Sequence, residues 1–143
     1  MIKDLKIGYM YKIPFSFTDK EVEKFAHITG DLNPIHLDDN YAKKTVFKRK
    51  IMHGFLSASI FSKIFGTLFP GPGTIYLEQL LKFKKPMYPN EEYCAKLIVE
   101  EINKANFTLK INTEIFDSTC QEKTISGYAI VLNKTIIDKI DEF

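Results

Sequence analysis

An aspartate and a histidine stand five residues apart in the segment Gly30-Asp31-Leu32-Asn33-Pro34-Ile35-His36. Pro34 supplies no backbone N–H, fixes its own φ and disfavours the α region at Asn33. The segment is therefore predicted to be an extended or turning loop and not a helix. A loop can aim Asp31 and His36 at one point, as a general acid–base pair requires. Taken alone, the same residues also suit a solvated turn, because Gly-Asp and Asn-Pro are common turn dipeptides.

The length and charge of the chain limit its class. The 143 residues are expected to form a single domain over residues 1–143. The net charge of +2, from 20 basic and 18 acidic residues, gives no field that favours nucleic acid. Charged residues interrupt residues 1–6, and no apolar run reaches the ~18 residues of a membrane span, so neither a signal peptide nor a membrane segment is expected.

The two cysteines, Cys94 and Cys120, show neither a CxxC motif nor a Cys/His spacing typical of zinc sites. They are predicted to be reduced thiols and not a disulfide or a metal site. A cytoplasmic location follows from that prediction.

The first half of the chain is predicted to contain one strand and several helices. Residues 7–17 are rich in aromatic and β-branched residues, which favour a strand or extended arm. Thr18 and Glu21 form a capping-box pattern, and Gly30 closes the short helix that follows. Residues 40–46 are predicted to form another short helix or a turn.

A second helix is predicted from Gly54 to about Thr67. It is apolar on nearly every side, which is typical of a buried helix. After Pro70-Gly71-Pro72-Gly73 the apolar period changes to two, which predicts strands at 74–83, 93–100, 107–116 and 125–132. Helices followed by antiparallel strands indicate an α+β fold, in which the sheet wraps around the apolar helix.

Several blocks of the chain resemble those of one family. They are Gly30–His36 with Ala42 behind it, Phe47 with Ile51–Leu56, the serines Ser59 and Ser62, Pro70–Leu77, and Leu81–Pro86. In this order they resemble the MaoC-like, or hydratase 2, group of hot-dog-fold proteins, and especially the short bacterial (R)-specific enoyl-CoA hydratases. Met52, Arg49 and Asn90-Glu91 depart from the usual family pattern.

The resemblance implies a single hot-dog domain that pairs as a homodimer, with an acyl-CoA thioester between the subunits. It also implies that Asp31 and His36 are the catalytic pair and that the backbone N–H of Gly54 binds the thioester oxygen. Ser62 matches a serine that the family places behind the active-site loop. No cofactor and no metal are expected.

The residue types suit the chemistry of hydration. Water must attack C3, a proton must reach C2, and the thioester oxygen must be stabilised as negative charge develops on it. Gly54 is predicted to begin a buried helix, whose free N–H groups favour negative charge, and glycine permits close approach of a ligand. Asp31 and His36 could hold one water between them and move its protons.

Five further residues are assigned to substrate binding: Asn33, Phe55, Ser62, Lys48 and Arg49. Ser62 and Phe55 also suit an ordinary core. Lys48 and Arg49 belong to the basic cluster Lys43, Lys44, Lys48, Arg49 and Lys50, which could contact CoA phosphates or be a solvated face. His53 is taken as structural.

Three functions therefore remain open. The leading hypothesis is an (R)-specific enoyl-CoA hydratase, which equally dehydrates 3-hydroxyacyl-CoA. The second is a dehydratase that acts on acyl carrier protein, an acidic partner suited to the same basic cluster. The third is a non-catalytic module that binds acyl thioesters or assembles with a partner enzyme.

Overall fold

A five-stranded antiparallel sheet forms the body of the protein, in a computed structural model that describes residues 5–142. The strands are β1 (Met10–Phe15), β2 (Ile75–Phe83), β3 (Tyr93–Asn103), β4 (Thr108–Asp117) and β5 (Lys123–Leu132). Their spatial order is β1-β3-β4-β5-β2, so β1 and β2 are the edges. Residues 1–4, where no signal peptide is expected, and Phe143 lie outside the described part. The predicted α+β fold is confirmed.

Helix α1 (Asp19–Thr29) begins and ends as its local sequence predicts. Thr18 Oγ1 accepts from the Glu21 N–H at 3.2 Å, and Glu21 Oε2 accepts from the Thr18 N–H at 2.7 Å. Gly30 ends the helix in the left-handed region at φ 78°. This stop places Asp31 immediately after the helix.

Two short helices follow, and the first corrects the sequence prediction. Pro34–Leu37 forms α2, so the segment 30–36 is not a loop throughout. Pro34 occupies the first turn of α2, where its missing N–H is not needed, and the Asn33 side chain accepts from the Ile35 N–H at 3.2 Å. Asp39–Lys43 forms α3, in agreement with the short helix predicted near residues 40–46.

The long apolar helix α4 (Gly54–Lys63) continues as a π-helical turn over Ile64–Leu68. Phe61 and Phe65 are almost fully buried, in one core with the inward side chains of the sheet. The expected burial fails at the beginning of α4, where Phe55 is 72% exposed. The sheet therefore covers α4 only in part.

The C-terminal segment is also more ordered than the short tail that its sequence indicates. Lys134–Asp138 forms helix α5, and residues 139–142 continue as a 3-10 helix. Asn133 Oδ1 accepts from the Ile136 N–H at 3.1 Å, and its Nδ2 donates to Thr74 Oγ1 at 2.9 Å. Over residues 5–142, no helix is both long enough and apolar enough to cross a membrane.

Candidate active site

His36, on α2, is held by a main-chain carbonyl. Its Nδ1 lies 2.7 Å from the Ile51 carbonyl oxygen. A carbonyl can only accept, so Nδ1 carries the proton and Nε2 of the neutral ring has a free lone pair. Burial lowers the pKa of His36, and the neighbouring His53 lowers it further, against the opposing effects of the Ile51 carbonyl and Asp31. The ring is therefore neutral at neutral pH and has an unprotonated nitrogen that can accept a proton.

Asp31 follows the left-handed Gly30 and presents a half-exposed carboxylate, with 54% of its side chain accessible. One carboxylate oxygen accepts from the Asn33 N–H at 3.2 Å, which fixes the side chain over the turn. The other lies 4.0 Å from His53 Nε2. The Asn33 side chain caps the N-terminus of α2. Its assignment to substrate binding stays a prediction.

His53 completes the group, and the sequence analysis missed its place there. The residue is 3% exposed, and its Nε2 lies 3.0 Å from the Asp31 carbonyl oxygen. Its ring stacks on that of His36 with centroids 3.7 Å apart. The one signal in the sequence is its position beside Gly54. Among the described residues, this group could hold a metal ion. One ligand atom from each of Asp31, His36 and His53 lies within 4.8 Å of the other two.

Gly54 occupies the first position of α4, whose N-terminus has no side-chain cap. The first N–H groups of a helix have no acceptor within the helix and are available to an anion. A Cβ at this position would lie 2.8 Å from Cε1 of Phe83, closer than carbon atoms pack. Only glycine therefore fits beside Phe83 without displacing it, and its backbone stays open to a ligand.

Three adjoining cavities meet at these residues. The acid–base cavity, of about 240 Å³, is lined by Phe25, Thr29, Asp31, His36, His53, Gly54 and Phe55. The lysine-lined cavity, of about 400 Å³, shares His36 and Gly54 with it and extends past Lys84, Lys85 and Met87. The serine-lined cavity, also of about 400 Å³, shares Phe55 with it and contains Ser59, Ser62, Tyr76 and Gln79. The three cavities therefore lie next to one another around His36, Gly54 and Phe55.

The predicted substrate-binding residues are distributed unequally among these cavities. Ser62 lines the serine-lined cavity, and Phe55 forms the wall between that cavity and the acid–base cavity. Arg49 does not line any of the three; its Nη1 lies 2.7 Å from Glu91 Oε1, and its guanidinium group lies 3.5 Å above the Tyr88 ring. Lys48 is exposed, with a left-handed φ of 63°.

Lys84 and Lys85 line the lysine-lined cavity, although their sequence pattern suggested no role for them. Their main-chain N–H groups both donate to the Thr124 carbonyl, which ties this segment to β5. Lys85 also forms an ion pair with Glu122 at 2.5 Å. The signal was present in the block Leu81–Pro86, where two lysines precede a proline.

Comparison with known proteins identifies the family of this chain. The family model of the MaoC like domain matches residues 5–129. An (R)-specific enoyl-CoA hydratase of Aeromonas caviae is 38% identical over 114 residues, which are 80% of this chain and 85% of that protein. A mitochondrial 3-hydroxyacyl-[acyl-carrier-protein] dehydratase of Solanum lycopersicum is 36% identical over 77% of this chain and 67% of its own length.

A solved structure supports the same placement. The (R)-hydratase from A. caviae involved in PHA biosynthesis superposes with a TM-score of 0.86 at 35% identity, over 92% of this chain and 98% of that one. The resemblance stated from the sequence blocks is thereby confirmed, and the chain belongs to the MaoC-like domain family.

Proposed function

We propose that this protein adds water to trans-2-enoyl-CoA to give (R)-3-hydroxyacyl-CoA, and catalyses the reverse dehydration. The observation that carries the proposal is the junction of the cavities, where Asp31, the free Nε2 of His36 and the N-terminus of α4 at Gly54 line one space. The hydratase of A. caviae, 38% identical, supports the choice of reaction and substrate.

The proposed mechanism uses one water molecule. His36 Nε2 accepts a proton from this water while the water oxygen attacks C3, and the Asp31 carboxylate accepts a hydrogen bond from the other O–H, which remains in the product hydroxyl. Negative charge moves to the thioester oxygen, where the Gly54 N–H stabilises it; a donor of this kind contributes ~10²–10³ in rate. The imidazolium then returns the proton to C2, which completes the addition of H and OH. The lowered pKa of His36 favours this return, because it makes the imidazolium a stronger acid.

The cavities suggest how the substrate lies. With the thioester at Gly54, the CoA arm would follow the lysine-lined cavity and the acyl chain would reach past Phe55 towards Ser62. Lys84 and Lys85 line that path, whereas Lys48 and Arg49 lie outside the cavities and the charge of Arg49 is already offset by Glu91. We therefore assign phosphate contacts first to Lys84 and Lys85, with Lys48 and Arg49 as outer contacts.

We also propose that the active form is a homodimer. Strand β2 is an edge of the sheet, and Phe55 beside it is 72% exposed. Exposed apolar side chains also run along β2, which a second copy would cover; they are Ile75, Leu77, Leu80 and Phe83. Light scattering at micromolar concentration should give the mass of a dimer. Leu77→Glu should lower this mass towards that of a monomer. Ile28→Glu, which replaces an exposed apolar residue of α1 with the same charge, should leave the mass unchanged. A fully active monomer would contradict this proposal.

The free thiols Cys94 and Cys120 support a cytoplasmic location, the reducing compartment proposed from the sequence. Burial raises the pKa of Cys94, which keeps that thiol protonated and weakly reactive at neutral pH. Fractionation of the source cells tests the location, and recovery of the protein outside the cytoplasm would contradict it.

The decisive experiment is an absorbance assay with crotonyl-CoA, followed by chiral chromatography of the product. We expect loss of the enoyl thioester absorbance and an (R)-3-hydroxy product. Predominantly (S) product would retain hydration and refute the stereochemistry. No turnover by the folded protein on crotonyl-CoA or on longer enoyl-CoA substrates would refute the function.

A dehydratase for acyl carrier protein is the second candidate. The 36% identical protein from Solanum lycopersicum favours it, as do Lys84 and Lys85, two exposed lysines of the lysine-lined cavity that would suit an acidic carrier. Turnover of one acyl chain on CoA and on carrier protein separates the two. A kcat/KM ratio above about tenfold in favour of the carrier would make this the better assignment.

A further inference from the structure

His53 stands where the three proposed catalytic groups meet, although it performs none of the chemistry described above. We propose that His53 is a positioning residue, which fixes the Asp31 main chain and the His36 ring relative to the N-terminus of α4. This inference rests on the proposed hydratase function, because it concerns the geometry of that reaction.

Three contacts of His53 support the proposal. Its Nε2 donates to the Asp31 carbonyl at 3.0 Å, across 22 residues of chain. Its ring stacks on the His36 ring with centroids 3.7 Å apart and planes inclined by 27°. Its backbone forms the N-cap of α4, directly before Gly54. One residue therefore connects the carboxylate loop, the imidazole and the helix N-terminus.

The buried position of His53 indicates that its N–H group is needed. The residue is 3% exposed and packs against Phe25, with ring centroids 5.0 Å apart. Its Nδ1 is buried without a hydrogen-bond partner. An apolar ring would fill the same space without leaving a polar atom unpaired, and unpaired buried polar atoms are costly. An apolar ring could not supply the hydrogen bond from Nε2 to the Asp31 carbonyl, because that bond needs a donor at this point.

The same geometry distinguishes positioning from proton transfer. The N–H at Nε2 donates to the Asp31 main-chain carbonyl, and Nδ1 is buried without a hydrogen-bond partner. The hydrogen bond of His53 therefore serves the main chain, and the proton transfers are assigned to His36 and Asp31.

Loss of this hydrogen bond should appear in kcat. Without the donor, the Asp31 carbonyl loses its buried partner and the loop is free to shift from α4. A displacement of about 1 Å at a reacting group costs ~10²-fold in rate. The KM for enoyl-CoA should change little, because the proposed CoA contacts lie along the lysine-lined cavity, which His53 does not line.

The test compares side chains that keep one feature each. His53→Phe keeps an aromatic ring without a donor, and His53→Gln keeps a donor at the reach of Nε2 without the ring. His53→Asn carries the same amide but is too short to reach Asp31. His27→Gln, on the exposed face of α1, is the matched control and should retain wild-type kcat. We expect kcat to fall ~10²-fold in His53→Phe and His53→Asn, and His53→Gln to recover at least about tenfold of that loss.

Thermal unfolding of each variant, with kcat and KM for crotonyl-CoA, decides the outcome. His53→Phe with kcat within about threefold of wild type, or His53→Gln no better than His53→Asn, would overturn the positioning role. If His53→Phe does not fold, the comparison of Gln with Asn still decides, because these two differ only in reach. Wild-type protein without hydratase activity would instead refute the proposed function, which keeps the two failures apart.

Discussion

Replacing Gly54 with alanine tests the link between the helix N-terminus and catalysis. The new Cβ would lie 2.8, 3.1 and 3.2 Å from three carbon atoms of the Phe83 ring. Carbon atoms pack at about 3.5–4.0 Å, so either the ring or the N-terminus of α4 must move by about 1 Å. Phe83 is 50% exposed, so its ring has room to turn towards solvent. Alanine is also the better helix former, and Gly54→Ala should therefore fold.

The magnitude of the catalytic loss follows from the same geometry. The methyl group is attached one bond from the Gly54 N–H, where the thioester oxygen is proposed to bind, and would crowd that oxygen. Removing one such donor costs ~10²–10³ in kcat, which is about 2.7–4 kcal/mol. A loss of ~10²-fold is therefore expected in kcat, with thermal stability near that of the wild type.

The assay is steady-state hydration of crotonyl-CoA, and two further variants make it specific. Gly66→Ala is the control, because a Cβ at Gly66 would meet no atom within 4 Å. A double-mutant cycle with Phe83→Ala, alone and combined with Gly54→Ala, separates two effects of the new methyl group. They are its clash with the Phe83 ring and its crowding of the Gly54 N–H. If the clash displaces the helix, the double variant recovers about tenfold or more over Gly54→Ala. A folded Gly54→Ala enzyme with kcat within about threefold of wild type would show that the helix N-terminus does not hold the thioester oxygen.

Three further predictions concern the acid–base pair and the basic cluster. Asp31→Asn and His36→Ala should each lose ~10²–10⁴-fold in kcat with little change in KM, measured with crotonyl-CoA; near-normal turnover by either variant would refute the mechanism. Because the pKa of His36 is lowered from its usual ~6.5 and Nε2 must be unprotonated, kcat/KM should stay level through pH 6.5 and fall only at lower pH. The unfolded chain binds that proton more readily than the folded protein, so the free energy of unfolding should also decrease as pH falls below ~6.5, as chemical denaturation can measure. The double variant Lys48→Ala/Arg49→Ala should raise KM for crotonyl-CoA by less than about threefold, because Glu91 already offsets the charge of Arg49. It should not change KM for a pantetheine thioester. A tenfold rise in KM for crotonyl-CoA alone would instead place the CoA phosphates at these residues.

Several features of this protein could be predicted from short stretches of sequence, because the interactions that form them are local. Thr18 and Glu21 are three residues apart and cap α1 as their spacing predicts. Gly30 stops α1 because glycine adopts the left-handed conformation without strain. The alternation of apolar residues predicted β3, β4 and β5, since neighbouring residues of a strand face opposite sides of the sheet.

The errors have equally physical causes. The segment around Pro34 was predicted to be non-helical, but proline is excluded only from the helix interior and is favoured in the first turn. Lys134–Asp138 gave no strong helical signal, yet α5 forms because Ile137 is buried to 1% exposure and Asn133 caps its N-terminus. The first error therefore overlooks a local preference of proline, and in the second the burial of Ile137 outweighs a weak local preference.

The sequence by itself determined that Asp31, His36 and Gly54 are the residues with suitable chemistry, because their residue types and spacing are visible along the chain. Only the tertiary structure decided how they are held. The carbonyl that fixes His36 is 15 residues away, and the histidine that holds Asp31 is 22 residues away. Nothing in the local pattern encodes such distances, because they depend on packing α4 against the rest of the fold. The free nitrogen of His36, the contacts of His53 and the pairing of Arg49 with Glu91 therefore follow from folding and not from the motif.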